Sequence, residues 1–404
     1  MKIAYITAHT PYGTGETFIL EELNTILQFD VDVIIIPRNP PKKVFHSIAR
    51  NLLEKTIWLP LINTAITMFF LKACFRQMVV FRIVKNIFKH SRSIQMIIKN
   101  LAVFPKAVYI SQRLMKENIQ HIHVHWGSTT ATMAWIISEL TGTPWSMTLH
   151  RWDIMENNML KLKVEKAAFT RCISQKGREE VLEITAGEYE ERVKVLHMGV
   201  KLPYSIASEV YPSNQVFTIA CPANLLPVKG HRYLINALKL LKERRVENFK
   251  CLIIGDGPLK DKIKHNITNY QLQDTVVMTG RIPHDELLSM YEKGEVHVVV
   301  LPSIVDENGE KEGIPVALME AMAYGIPVVS TRTGGIPELL SDGAGLLVNE
   351  KDSEELANAL YKLKSDICLY QSLQKKGYER ISGSFNSEII AKKLVELMRA
   401  NCDV

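Results

Sequence analysis

Short apolar runs alternate with stretches of helical periodicity along most of the chain. In the N-terminal half, the apolar runs predict strands at 2–7, 31–37, 121–125, 145–149, 171–173 and 193–196. Helices are predicted between several of them, at 16–27, 129–140 and 176–183. This alternation is typical of parallel βαβ units, in which a helix covers the sheet between successive strands.

A second series of the same kind follows 199–214, a segment with two prolines and no clear period. Its strands are predicted at 217–221, 250–254, 275–279, 296–301 and 327–330, and its helices at 231–243, 259–269, 285–292 and 315–324. We therefore predict an α/β fold of two Rossmann-like domains, whose parallel sheets face a central ligand cleft with their carboxyl ends. The expected domains are 1–203 and 204–384, with a C-terminal helix in 385–404 that packs back toward the first domain.

The composition agrees with two such domains. Of 404 residues, 47% are hydrophobic and 23% charged, which excludes a disordered chain, a fibre and a disulfide-stapled mini-domain. The six cysteines form no C-x-x-C pair, so we expect reduced thiols and no zinc site. The apolar run at the start is too short for a signal peptide, and we place the chain in the cytoplasm.

The stretch from Glu312 to Ser330 carries the most specific pattern for chemistry. Pro315 suits the first position of the predicted helix, and Gly313 allows a ligand to approach the backbone there. The N–H groups that begin at Ile314 suit a phosphate. Glu312 lies just before the helix and Glu320 about one and a half turns inside it, so the two carboxylates can meet different points of an extended ligand.

Glu312-x7-Glu320, followed by Thr333-Gly-Gly-Ile-Pro-Glu338, closely resembles the retaining glycosyltransferases of family 4, which have the GT-B fold. The resemblance looks closest to members that build bacterial exopolysaccharide or O-antigen repeat units. It implies that Glu312 contacts hydroxyls of the donor sugar and that Glu320 contacts the nucleotide ribose. It implies a donor that is a nucleotide diphosphate sugar, and no cofactor.

Further residues match the donor-binding positions of that family. Lys229, in Asn224-Leu-Leu-Pro-Val-Lys229-Gly, matches a cation that neutralises the donor diphosphate, whereas Asn224 stands where the family commonly has arginine. The other expected donor contacts are Gly257 in a Gly-Asp-Gly-Pro turn, Arg281 at a strand end, and the loop glycines Gly13 and Gly15.

Two histidines follow predicted strands in the first half. His150 stands where related enzymes have a histidine that contacts the transferred sugar, so we count it, with Glu312 and Lys229, among the catalytic candidates. His125, near the carboxyl end of its strand, is an acceptor-side candidate. Asp153 is another, and it either orients His150 or caps a helix. Asp30-Val-Asp32 falls at a predicted turn, where aspartate is common, and we predict that no metal is required.

The resemblance implies transfer of a sugar, with retention of configuration, to a saccharide acceptor. The charge of the basic segment at 55–116 leads us to expect that this acceptor is lipid-linked. Two alternatives stay open: a sugar-nucleotide epimerase of the same fold, and a binding protein that has lost turnover, for which Asn224 is the best reason. Donor hydrolysis or transfer, as against nucleotide binding alone, separates these alternatives.

A basic segment, residues 55–116, contains eleven Lys and Arg and no Asp or Glu. Basic and apolar residues alternate densely from Met78 to Lys89, as they do in helices that lie in a membrane interface. The simpler interpretation is a set of domain helices with a solvated basic face. No nucleic-acid recognition motif accompanies the charge, so we hypothesise peripheral attachment to the anionic inner face of the cell membrane, and no nucleic-acid partner.

Overall fold

The structure, a computed structural model, describes residues 1–13, 16–41, 43–44, 46–74, 78–203 and 216–402. It divides into two compact units, Met1–Gly199 with Ser387–Val404, and Val200–Asn386. These boundaries lie within a few residues of the expected ones, at 203/204 and 384/385. Gly15 lies outside the described residues.

The first unit contains a six-stranded parallel sheet in the order β2-β1-β3-β4-β5-β6. Its strands are β1 (Lys2–Thr7), β2 (Asp32–Pro37), β3 (His121–His125), β4 (Trp145–Leu149), β5 (Phe169–Cys172) and β6 (Val193–Val195). Its helices are α1 (Thr17–Ile26), α2 (Thr64–Cys74), α3 (Met78–His90), α4 (Ile94–Leu114), α5 (Thr129–Thr141), α6 (Arg151–Glu156), α7 (Leu160–Lys166) and α8 (Gln175–Thr185).

The sheet is covered on both faces because its strands are apolar on both sides. Alternate residues of a strand point to opposite faces. In β1, Ala4 and Ile6 join the core beneath α3–α5, whereas Ile3 and Tyr5 join a second core beneath α1. Strands buried on both faces are characteristic of parallel sheets with helices on either side.

The second unit contains another six-stranded parallel sheet, in the order β12-β11-β10-β7-β8-β9. Its strands are β7 (Phe217–Pro222), β8 (Phe249–Ile254), β9 (Val276–Gly280), β10 (Val298–Leu301), β11 (Val328–Thr331) and β12 (Leu346–Val348). Its helices are α9 (His231–Glu243), α10 (Lys260–Asn269), α11 (His284–Glu292), α12 (Val316–Ala323), α13 (Ile336–Leu339), α14 (Ser353–Ser365) and α15 (Ile367–Ser384). Strand order reverses direction between β7 and β10, and this switch point is where ligands bind in open parallel sheets.

The last helix, α16 (Ser387–Arg399), belongs to the first unit. Its residues Ile390, Leu394 and Met398 recur at the spacing of one helix face and are buried against α1, where Ile19 and Leu23 belong to the same core. Burial of this face explains why the chain returns to the first unit after completing the second.

The basic segment folds into α2, α3 and α4. In α3, Ile83 and Ile87 are fully buried, so one face of this helix belongs to the core. The opposite face exposes two aromatic rings, Phe81 at 77% and Phe88 at 56%, together with the exposed Lys85. No helix in the described part of the chain has both the length and the apolarity needed to cross a bilayer.

Lys106 departs from the basic surface because it is fully buried within α4. Its ammonium group donates to the carbonyl oxygens of Pro37 at 2.6 Å, Arg38 at 2.9 Å and Leu59 at 2.6 Å. Burial, together with the charge of Arg38, lowers the pKa of Lys106 to about 7. The side chain therefore ties the end of β2 and the segment leading to α2 to the middle of α4.

We expect Lys106→Met to destabilise the protein by about 2–4 kcal/mol, because three buried or partly buried carbonyls lose their donor. The matched control, Lys99→Met on the same helix, removes a half-exposed lysine 3.8 Å from Glu156 and should cost less than about 0.5 kcal/mol. Urea unfolding of both variants measures the difference, and equal stabilities would contradict the anchoring role.

The lowered pKa also predicts a pH dependence for this difference. Between pH 7 and 10.5 the unfolded lysine keeps its proton while the buried lysine has lost it, so native stability rises with pH through this interval. Lys106→Met lacks the titrating amine. The difference in unfolding free energy between the native protein and this variant should therefore grow from pH 7 to pH 9. A stability deficit that stays constant over this range would show that the buried amine stays protonated.

Candidate functional site

The loops after β7 and β10 lie directly against each other at the switch point of the second sheet. Gly230 has a φ of +65°, and a Cβ there would lie 1.9 Å from the carbonyl oxygen of Pro302. The Ile304 N–H also donates to the Val228 carbonyl at 2.9 Å. Only glycine fits at 230, and the close packing that it allows fixes the position of the preceding residue, Lys229.

Lys229 and Glu312 form an ion pair at this edge of the sheet. Lys229 Nζ lies 2.5 Å from Glu312 Oε1, and their side chains are 20% and 13% exposed. A single turn of 3-10 helix, Pro227–Lys229, presents the lysine. The pair offers a cation to an anionic ligand and carboxylate oxygens to hydroxyl donors, within a partly dehydrated environment that strengthens both interactions.

The segment that carries Glu312 is supported from beneath by two glycines. Gly334 has a φ of +58°, and a Cβ there would lie 1.8 Å from the Glu312 carbonyl oxygen. The N–H of Gly335 donates to the Glu312 and Gly313 carbonyls at 3.3 and 3.2 Å. A Cβ at Gly313 itself would meet nothing within 4 Å, so packing within the described protein does not account for glycine at that position.

The helix after Glu312 begins at Val316, one residue later than predicted. Pro315 therefore precedes α12 with extended backbone angles (φ −74°, ψ 120°) instead of forming its first turn. Ile314, just before it, is partly exposed. Glu320 lies within α12, where its Oε1 is 2.8 Å from Nε2 of His284 at the start of α11. His284 is not among the predicted site residues, since a lone histidine near a helix start has no sequence signature.

The glycine turn after β8 is explained by packing. A Cβ at Gly255 would lie 2.1 Å from the Ala223 carbonyl oxygen, and one at Gly257 would lie 2.8 Å from the Leu225 carbonyl oxygen. The turn therefore packs tightly on the loop that leads to Lys229. The side chains of Asn224, after β7, and Arg281, after β9, are exposed at this same carboxyl edge.

In the first unit, the loop after β1 is held by a buried carboxylate. Glu16 Oε1 accepts a hydrogen bond from Trp126 Nε1 at 2.6 Å, and Oε2 accepts from the backbone N–H groups of His9 at 2.9 Å and Thr10 at 2.8 Å. Burial opposes ionisation, but these donors hold the pKa of Glu16 below its usual range. Gly13 lies in this loop with a φ of +82°. The switch point between β1 and β3 is thus rigidly built.

The structure brings the two candidate histidines into contact. Nδ1 of His125, at the end of β3, lies 3.0 Å from Nε2 of His150, at the end of β4. His125 Nε2 is 2.8 Å from Oε1 of Glu22, whose other oxygen accepts from Arg171 at 2.6 Å. Glu22 and Arg171 are not among the predicted site residues. Glu22 lies on the apolar face of α1, and a carboxylate on that face is the signal that points to it.

Asp153 caps the start of α6. Its Oδ1 accepts the backbone N–H of His150 at 2.8 Å, and its Oδ2 accepts the N–H of Gly127. Burial raises the pKa of Asp153 to about 7, against the opposing effect of these donors. Of the two roles left open for Asp153, the structure shows the helix cap.

Glu22, His123 and His125 place potential metal ligands within 4.8 Å of one another. Their other contacts do not favour a cation. The Arg171 guanidinium already lies against Glu22, and His123 uses both ring nitrogens with the hydroxyl groups of two neighbouring β4 residues, at 2.8 and 2.9 Å. This group is therefore better described as a hydrogen-bonded buried cluster.

Part of the chain resembles a known family. Residues 208–380 match the family model described as "Glycosyl transferases group 1". The chain is 38% identical over 212 residues to the putative colanic acid biosynthesis glycosyltransferase WcaL of Escherichia coli, covering 52% of each chain. It is 33% identical over 217 residues to the amylovoran biosynthesis glycosyltransferase AmsK of Erwinia amylovora, covering 53% of this chain and 52% of that protein. The chain thus spans about half the length of the curated relatives that it matches.

Among solved structures, HepE of Anabaena in complex with UDP superimposes with a TM-score of 0.74. The match covers 99% of this chain and all of that one at 17% sequence identity, so it shows the fold alone. With two parallel six-stranded sheets of this kind, the fold is that of the GT-B glycosyltransferases, which confirms the predicted fold class. The central cleft stays a prediction.

Proposed function

We propose that this chain, whose residues 208–380 match the model of the group 1 glycosyl transferases, transfers a sugar from a nucleotide diphosphate sugar to a saccharide acceptor. The observation that carries the proposal is the Lys229–Glu312 pair at the switch point of the second sheet. This pair lies within the matched family segment, and it supplies the two charges that a diphosphate and a sugar require.

Retention of configuration and independence of metal ions belong to the same proposal. The acceptor hydroxyl oxygen forms a bond to the anomeric carbon on the face that the leaving diphosphate departs from, and its proton passes to a diphosphate oxygen. This route needs no separate base. Lys229 and the backbone N–H groups before α12 stabilise the charge that develops on the diphosphate. On this proposal, Glu312 and His150 contact the transferred sugar, and Glu320 contacts the ribose.

The relatives support a role in building exopolysaccharide, since WcaL and AmsK are named for colanic acid and amylovoran biosynthesis. The complex of HepE with UDP supports a nucleoside diphosphate as part of the donor. We extend these names to the present chain as a proposal only, and we propose a lipid-linked saccharide as acceptor.

The test is transfer by the purified chain from a panel of uridine and guanosine diphosphate sugars to saccharide acceptors. We expect nucleoside diphosphate release that depends on the acceptor, and a product whose anomeric proton coupling matches that of the donor. An inverted product would refute retention. Interconversion of the donor sugar without acceptor would favour an epimerase, and tight binding with no turnover would favour a binding protein.

Attachment to an anionic membrane surface on the cytoplasmic side completes the proposal. The outward face of α3 combines Phe81 and Phe88 with Lys85 and Lys89, all exposed. A solvated basic face alone would not require two exposed phenylalanines. Aromatic rings that enter the interface and lysines that meet anionic lipid are the features of a helix lying on a membrane.

We expect the protein to float with vesicles that contain anionic lipid and to be partly released by high salt. Lys85→Glu with Lys89→Glu should weaken binding by roughly 1–2 kcal/mol or more, at about 1 kcal/mol for each cation near the surface. We leave Arg82 unchanged because it pairs with Glu139 at 2.7 Å. The control changes two exposed lysines of the second unit, Lys262 and Lys264, to glutamate. Equal loss in both variants, or equal binding to neutral vesicles, would reject the electrostatic attachment.

A further inference from the structure

A histidine and a carboxylate form a second pair further along the carboxyl edge of the second sheet. Nε2 of His284, the first residue of α11, lies 2.8 Å from Oε1 of Glu320 in α12. The Glu320 side chain is 17% exposed and the His284 side chain 46%. The carboxylate is therefore partly covered by the protein, but a ligand at this edge can still reach it.

The order of the strands separates this pair from the Lys229–Glu312 pair. Lys229 follows β7 and His284 follows β9, and β8 lies between these two strands in the sheet. Neighbouring strands are about 4.8 Å apart, so the two residues follow strand ends that are roughly 10 Å apart. A nucleoside diphosphate extends over a comparable length from its phosphates to its base. One such ligand along this edge can therefore meet Lys229 with its diphosphate and Glu320 with its ribose.

The direction of the hydrogen bond between His284 and Glu320 does not depend on the charge of the imidazole ring. An ionised carboxylate can only accept hydrogen bonds, so Nε2 of His284 carries the proton and donates it. This holds for a neutral ring with its proton on Nε2 and equally for a ring protonated on both nitrogens. A carboxylate has about four lone-pair sites, so Glu320 keeps acceptor capacity for hydroxyl groups of a ligand.

His284 also restricts the rotation of the Glu320 side chain. Among the residues that the structure describes, no other group donates a hydrogen bond to the Glu320 carboxylate. Fixing a long side chain costs conformational entropy. A carboxylate that is already ordered before the ligand arrives binds that ligand more tightly, because this entropy is not lost on binding. The contact with His284 therefore prepares Glu320 for a ligand.

We propose that His284 is a positioning residue for the nucleotide, which orients the Glu320 carboxylate toward the ribose hydroxyls and so makes the site selective for ribonucleotides. The proposal rests on the proposed function, in which Glu320 contacts the ribose. It adds the residue that orients this carboxylate and the feature of the ligand that is selected. A site built to accept hydrogen bonds from hydroxyl groups rejects an analogue that lacks them, because its acceptor is then left unpaired.

The test is calorimetric titration of the full chain with UDP, with GDP and with the 2′,3′-dideoxy form of each, which lacks both ribose hydroxyls. We expect the native chain to bind its preferred ribonucleotide about 10- to 100-fold more tightly than the dideoxy form, the range for hydrogen bonds to a charged group. In His284→Ala this ratio should fall about 3- to 10-fold, because the ligand must now order Glu320 itself. The affinity for the dideoxy form should stay nearly unchanged. An unchanged ratio in His284→Ala, or equal binding of both forms by the native chain, would overturn the proposal.

His284→Gln is the conservative variant, because a glutamine side chain can place an amide N–H donor where Nε2 of the histidine lies. It should keep most of the native ratio. The matched control is His265→Ala, which removes another exposed histidine of the same unit, 2.9 Å from Nδ2 of Asn269, and should behave as native. An equal fall in the ratio in this control, or no recovery in His284→Gln, would reject the specific role of the donor. Thermal unfolding of each variant checks the fold.

The same titrations separate this proposal from the proposed function. A native chain that binds neither UDP nor GDP would refute the proposed donor, and the role of His284 with it. Nucleotide binding that keeps its native selectivity in His284→Ala would refute the role of His284 alone. In a Glu320→Ala background, His284→Ala should not change the ratio further, because the histidine acts through that carboxylate. An independent loss in this background would show that His284 contacts the nucleotide itself, and would overturn the positioning role.

Discussion

Glu312→Gln is expected to reduce sugar transfer at least about 100-fold, equivalent to roughly 3 kcal/mol of transition-state stabilisation. The substitution keeps the size of the side chain but removes the charge proposed to meet the sugar as the bond to the diphosphate breaks. The fold should stay intact, because Glu312 lies on a partly exposed loop. Initial rates with an accepted donor measure the loss, and thermal unfolding checks the fold.

The ion pair between Glu312 and Lys229 adds an expected result for nucleotide binding by this variant. Glu312 neutralises Lys229 at 2.5 Å, so its amide should leave the lysine with more charge for the diphosphate. Nucleoside diphosphate should therefore bind Glu312→Gln at least as tightly as the native chain, while kcat falls. Glu307→Gln, the same change at an exposed position in the same loop, should be near native. Weakened nucleotide binding in Glu312→Gln with kcat unchanged would show that Glu312 belongs to the diphosphate site.

The pattern of apolar and polar residues predicts the secondary structure well where either the helical or the strand period is clear. The strands at 2–7 and 121–125 and the helix at 231–243 begin and end in the structure at their predicted residues. The strand predicted at 171–173 begins instead at Phe169. The pattern places the start of this strand too late because Arg171, a fully buried arginine, interrupts the apolar run. A charged residue in such a run usually marks the end of a strand, and the sequence does not show that Arg171 has a buried partner.

The candidate site is predictable where a residue type, its spacing and a strand end coincide. Lys229, Glu312 and His150 follow predicted strands and His125 ends one, and parallel strands bring such ends to one edge of each sheet. Glu22 is different because its partner Arg171 lies 149 residues away and only the folded sheet brings them together. Asp153 is different again, since its role depends on which backbone N–H groups face it.

Lys229→Ala should weaken donor binding and transfer by about 3 kcal/mol, the scale for one lost donor to a developing anion. The expected loss of binding free energy is larger than the removal of one cation alone would cause. Removal of the ammonium leaves the Glu312 carboxylate unpaired where the diphosphate must bind, and like charges repel. Lys250→Ala, an exposed lysine near the start of β8 and so away from the carboxyl edge, is the matched control and should behave as native. Calorimetric titration with nucleoside diphosphate measures both variants.

A double variant distinguishes repulsion of the diphosphate by the unpaired Glu312 carboxylate from loss of its attraction to Lys229. If repulsion contributes, Lys229→Ala with Glu312→Gln should bind nucleoside diphosphate more tightly than Lys229→Ala alone, although neither variant transfers sugar well. Asn224→Arg, which places a second cation at an exposed position on the carboxyl edge of the same sheet, should tighten nucleotide binding in the native chain and partly restore it in Lys229→Ala. Native-like affinity in Lys229→Ala, with no response to either second change, would place the diphosphate elsewhere in the molecule.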